Sequence, residues 1–158
     1  MKNKPVIVPG NIKLFHIKVL ESEINVSANT LEKVIYKINV GHSIKHNLKE
    51  ERIKIGLMVN IIGEINKKDI DIKAHFSIDF HYEIKNLSEF YSVDEKNNPK
   101  FSGFLIATLL GISFSTARGI IYERLRKTKL AGVILPVVSP QKMILQQSGG
   151  KQPRSQEK

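Results

Sequence analysis

The sequence predicts an α+β fold: a four-stranded antiparallel sheet in Greek-key or meander order, followed by a long C-terminal helix. Three observations predict it. From Ile70 to Lys85, Ile70, Ile72, Ala74, Phe76, Ile78, Phe80, Tyr82 and Ile84 alternate with polar residues without a fault. That is the period of a strand with one greasy face and one wet face. Two further runs, Val34 to Leu48 and Ile53 to Ile61, keep the same period. Beyond residue 100 the period changes, and Phe114, Ala117, Ile121 and Leu125 recur at the spacing of one helix face.

Taken in order, Lys13 to Val26 reads as the first strand. Phe15, Ile17 and Val19 share one parity but Leu20, Ile24 and Val26 share the other, so a bulge near Val19–Ser22 is expected. Ala28 to Glu32 is a connection. Lys49-Glu50-Glu51 turns the second strand into the third, and the polar stretch Gly63 to Asp69 turns the third into the fourth. Asn86 to Lys100 reads as a polar connection broken at Asn97-Asn98-Pro99. Ser113 or Ser115 then caps a helix in which Glu123 precedes Lys127 by four and cations gather at the C-terminal end. Gly119 costs such a helix about 1 kcal/mol relative to Ala, and close packing is its expected reason. Val133 to Pro140 is an extended apolar segment.

A chain of 158 residues supports one domain, placed at 1–147, with a disordered basic tail over 148–158. Cysteine is absent, which excludes disulfides, thiol nucleophiles and thiolate metal sites and suits a reducing, cytoplasmic setting. Neither a signal-peptide core nor a run approaching the ~20 apolar residues of a membrane span is read, the longest greasy run being Phe101 to Phe114. Lys and Arg number 25 against 15 Asp and Glu, a formal charge of +10 that favours anionic partners.

No chemistry-bearing constellation stands out. His75, Asp79, His81 and Glu83 share the wet face of the fourth strand, where charged residues are ordinary, so no metal is assigned. Asp79 with Glu83 lacks the enclosed apolar pocket that makes a working carboxylate pair. His42 and His46 fall on the apolar parity of the second strand and read as edge or interface histidines. Gly111 and Gly119 are isolated and no Gly-Lys-Ser/Thr follows, so no phosphate loop is present. The chain is read as no enzyme, with no cofactor.

What remains is a shortage of cover. Four long strands at ~4.8 Å spacing make a sheet roughly 15–20 Å wide, and a helix is only ~10–12 Å across. An apolar strip is left over, to meet another subunit, a ligand or a client chain.

The C-terminal third carries Leu109-Leu110-Gly111, then Ser113-Phe114-Ser115-Thr116-Ala117-Arg118, then Leu135-Pro136-Val137. With the order of elements, these motifs resemble the SecB export chaperones. Phe114, Ala117 and Arg118 in Ser113-Phe114-Ser115-Thr116-Ala117-Arg118 match the family's Leu-Phe-Pro-Tyr-Ala-Arg helix opening. Leu109-Leu110-Gly111 is similar to its Leu-Leu-Gly, and Leu135-Pro136-Val137 to its Leu-Ala-Pro-Val. The resemblance implies an ATP-independent holdase, usually a tetramer built as a dimer of dimers, that binds unfolded preproteins in long hydrophobic grooves. It also admits the specialised members that protect the antitoxin of a toxin–antitoxin system. SecB proteins of general export are acidic where they dock SecA, and the basic balance of this chain argues against that docking.

On this reading Phe76, Phe80, Tyr82, Phe101, Phe104 and Leu105 wall the client groove. Phe114, Ala117, Arg118, Ile121 and Leu125 form the subunit contact. The competing reading is a nucleic-acid-binding β-protein that stacks bases on aromatics set among Lys and Arg. Phe76, Phe80 and Tyr82 share their parity with aliphatics, opposite Lys73 and Lys85, which favours the holdase.

Overall fold

The computed structural model describes residues 3–30 and 32–148. The tail expected from residue 148 onward therefore lies, apart from Ser148, outside the described residues.

Four long strands form the sheet: β1 (Ile12–Val26), β2 (Ile35–Asn47), β3 (Arg52–Ile65) and β4 (Lys68–Ile84). Their spatial order is β1-β4-β3-β2 with every pair antiparallel. β2, β3 and β4 are a meander, and β1 closes a Greek key by lying beside β4. A short hairpin follows, β5 (Tyr91–Val93) with β6 (Pro99–Phe101), then α1 (Gly103–Leu125) and α2 (Pro140–Ser148).

The turns are tighter than the sequence suggested. β3 runs on to Ile65 and β4 restarts at Lys68, so the expected seven-residue loop is a two-residue turn at Asn66-Lys67. Both of those residues take positive φ, 51° and 63°, the backbone that matches the right-handed twist of a hairpin. The polar connection after β4 also holds more order than expected. Asp94 Oδ1 accepts the N–H groups of Lys96 and Asn98, both at 2.9 Å, and closes the β5–β6 hairpin.

β1 carries the expected bulge, a register shift between Val19 and Glu21, and a second one between Leu14 and His16. Together they keep Leu14, Ile17, Val19 and Ile24 opposite Tyr82, Phe80, Ile78 and Ala74. Phe15 is the extra residue of the second bulge. It turns to the wet face, where its ring lies under the Arg52 guanidinium at 4.9 Å and beside the His81 ring at 6.0 Å.

The helix begins well before either capping serine, at Gly103, with Ser102 in the N-cap position. Ser113 is instead buried in mid-helix. Its Oγ lies 2.7 Å from the Tyr82 hydroxyl, which also donates to the Leu109 carbonyl at 3.3 Å. Burial pushes the Tyr82 phenol up to about 12. Leu105, Leu109, Ala117, Ile121 and Leu125 of α1 join Ile53 to Ile61 of β3 and Ile72 to Ile84 of β4 in one core. The stripe assigned to a subunit contact is thus spent inside the chain: Phe114, Ala117, Ile121 and Leu125 are all buried. Only Arg118 of that set keeps partial exposure.

Gly119 is not a close-packing residue within the chain, since a Cβ there would meet nothing within 4 Å. α1 is also long and apolar enough, by length and composition, to cross a membrane, with a window of mean hydropathy 1.7. That corrects the expectation of no such run, which ended the greasy stretch at Phe114. Half of the window is buried.

The shortage of cover is real. Phe80 is fully buried, yet its β1 partner Ile17 is 38% exposed. On the other flank, Leu135 and Met143 from the segment after α1 complete the core, and Ile38 and Val40 of β2 are half-buried against it.

Two outcomes follow for the core. Tyr82→Phe leaves Ser113 without its buried partner and lowers unfolding free energy by about 1–2 kcal/mol in urea titration. Phe80→Asp buries an unpaired carboxylate and abolishes the cooperative transition altogether.

Candidate functional site

One recess lies where the β5–β6 hairpin meets the first turn of α1. The Ser102 N–H donates to the Phe90 carbonyl at 2.6 Å and pins the helix start to the hairpin. Phe101 on β6 is held edge-on by Tyr91 at 5.8 Å and by His46 of β2 at 5.4 Å. Phe104, one residue into α1, is left 63% exposed. A further part of the wall is the N-terminal segment Lys4-Pro5-Val6, in which Val6 is 73% exposed. These residues, with Phe90 and Ser102, enclose about 870 Å³, the size range of a binding cleft for small or extended ligands.

A second recess of about 750 Å³ opens between Ile38 and Val40 of β2 and the stretch from Pro136 to Met143. Val137 at its rim is 87% exposed. The first recess sits beside the β5–β6 hairpin and the start of α1, and the second beside β2. They are concave, mostly apolar and open, and they can take extended chain; neither gathers a nucleophile with a base.

The six residues assigned to a client groove divide cleanly. Phe101 and Phe104 line the first recess. Phe76, Phe80, Tyr82 and Leu105 are fully buried between sheet and helix, because the α1 start at Gly103 brings a further apolar turn over them. They form the floor of the core, and no incoming chain touches them while α1 is in place. Sequence reasoning missed Val6, Tyr91 and Val137. Val6 and Val137 sit in proline-marked apolar stretches, Pro5 to Pro9 and Val133 to Pro140, which was the available signal.

On the wet face the side chains are engaged with one another. Asp79 Oδ2 takes the Lys54 ammonium at 2.9 Å. His75 sits between Glu21 Oε2 and Asn60 Oδ1, each 2.6 Å from a ring nitrogen. Among the described residues no group of three or more His, Asp or Glu is placed to hold a metal. His81 lies 5.3 Å from the His16 ring. Its pKa falls below the usual imidazole value, first through burial and then through the neighbouring His16, Lys54 and Lys18, while Asp79 opposes them.

This architecture is the SecB-like α+β fold. Among solved structures, the chain is similar to the Mycobacterium tuberculosis Rv1957 SecB-like chaperone in complex with a ChAD peptide from the Rv1956 HigA1 antitoxin. The match has a TM-score of 0.59 and 10% identity, and covers 83% of this chain and 92% of that one. At that identity the likeness is one of fold. A Streptococcus agalactiae protein of unknown function aligns at a TM-score of 0.37 and 11% identity, over 80% of this chain and 97% of that one. No protein-family model matches the sequence, and no curated protein does.

The His81 environment sets a pH dependence. Because its folded pKa is lowered, the unfolded chain takes up the proton first. Stability is whole above the ordinary imidazole value of ~6.5 and is lost as pH falls through it. His81→Gln therefore flattens the decline in urea midpoint between pH 7.5 and pH 5 relative to the parent chain.

Proposed function

We propose that this protein is an ATP-independent holdase that captures extended apolar segments of unfolded polypeptide. The observation that carries the reading is the open apolar groove beside the α1 start, where Phe104 faces solvent next to the half-buried Phe101. Burial of apolar surface gives such a groove sequence-tolerant affinity without a cofactor. The SecB-like fold supports the same reading. The solved SecB-like structure holds an antitoxin-derived peptide, and the basic balance departs from the acidic character tied to SecA docking. Protection of an antitoxin therefore ranks ahead of preprotein export as the task, in a cytoplasmic setting.

The assembly we propose is a homo-oligomer, a tetramer made as a dimer of dimers. Its contact is the outward face of α1, where Ile112 and Tyr122 are exposed and Gly119 leaves room for a neighbouring backbone. The unpaired outer edge of β1 offers a second contact.

A second reading, binding of single-stranded nucleic acid, draws on Phe15, which the β1 bulge sets among Arg52, His16 and His81. Salt separates the two. Counterion release makes nucleic-acid binding fall steeply with salt, whereas apolar capture barely changes.

The test is dilution of a chemically unfolded protein into stoichiometric amounts of this chain, without nucleotide, at ~0.3 M salt to screen charge. Light scattering is expected to stay low. Phe104→Asp, at an exposed position, restores aggregation while keeping the parent's circular dichroism. Unsuppressed aggregation by the folded parent would overturn the reading. For the assembly, Gly119→Leu lowers the mass read by light scattering after gel filtration; an unchanged mass moves the subunit contact elsewhere.

A further inference from the structure

The groove beside the hairpin carries its charge unevenly. Three charged side chains line it, Lys4, Lys100 and Glu89. Glu89 Oε2 accepts a hydrogen bond from Asn86 Nδ2 at 3.2 Å, so this carboxylate already has a partner in its own turn. Neither Lys4 nor Lys100 has an acidic partner among the described residues. Lys100 is fixed on β6 between Pro99 and the groove-lining Phe101. Lys4 belongs to a different segment of the wall, next to Pro5 and Val6.

An extended chain lying over Phe101 and Phe104 thus passes two ammonium groups that make no ion pair among the described residues. A carboxylate on that chain gains a pairing partner at the rim, and a Lys or Arg is repelled there. The overall charge of +10 acts in the same sense at longer range.

We propose that the groove selects polypeptide segments in which a large aromatic or aliphatic residue is flanked by Asp or Glu. The selection rests on the capture reading above and adds the chemical class of the client. Apolar burial supplies the affinity and the two lysines supply the choice, so clients rich in basic residues are passed over.

The experiment uses three fluorescent peptides that share one apolar core with aromatic residues and differ only in their flanks: Asp and Glu, Ser, or Lys and Arg. Anisotropy is read on the full chain at low salt. The acidic peptide is expected to bind roughly tenfold more tightly than the basic one, with the Ser peptide between, and 1 M salt compresses the series. Lys4→Glu combined with Lys100→Glu inverts the order. Arg126→Glu with Lys127→Glu changes net charge equally but away from the groove, and keeps the order. Equal binding of the three peptides, or an order that follows net charge alone, overturns acidic selection and leaves the capture reading standing. Failure of all three to bind, with the chain folded, overturns both.

Discussion

A helix with its side chains is ~10–12 Å across, and neighbouring strands stand ~4.8 Å apart. One helix of this length therefore roofs about two strands. Here α1 roofs β3 and β4, whose inward residues from Ile53 to Ile84 are buried almost without exception. The flanking strands pay for the mismatch, since Ile17 of β1 stays open to solvent and Ile38 and Val40 of β2 are only half-buried, beside the segment around Pro136. Open grooves, half-covered edges and an unfilled helix face are three results of one geometric shortfall.

Fixing α1 over the sheet takes a specific bond as well as apolar packing. Tyr82 stands on β4, one of the two inner strands, and its hydroxyl reaches Ser113 and the Leu109 carbonyl. An apolar helix sliding on an apolar sheet has many registers of similar energy. A buried phenol with one serine in reach selects a single one, because any slip leaves polar groups unpaired. That register is also what brings Phe104 to the hairpin, so the position of the groove is set further along the helix, at Leu109 and Ser113.

Much of this was legible in the chain. Alternation from Ile70 to Ile84 marks β4, and the parity change at Leu20 marks the bulge of β1, because a half-buried strand cannot change face silently. Phe15 was illegible for a related reason: an apolar residue in a bulge looks like one more inward residue, and only the pairing of Leu14 and His16 reveals it. The helix start was hidden because Phe101 to Phe114 is apolar on nearly every side, which erases the periodic signal. That single error misplaced the site, since ten more helical residues turn Phe76, Phe80, Tyr82 and Leu105 from groove wall into core. The β5–β6 hairpin escaped notice because three-residue strands carry too little alternation to read, although Phe101 and Phe104 were picked out from their aromatic character alone.

The Greek key has a consequence for how the chain comes into being. Of the four long strands β1 is made first, yet its partner among the described strands is β4, whose last residues emerge roughly sixty positions later. At ~5–20 residues per second that is a wait of several seconds. Meanwhile β2, β3 and β4 close in sequence through short turns, and non-local pairing is the slow step of folding. The nascent protein thus carries an unpaired strand bearing Ile17, Val19 and Leu20 while the rest of its sheet is still being synthesised. During its own birth it presents the kind of exposed apolar strand that a holdase, the function proposed for the finished protein, captures.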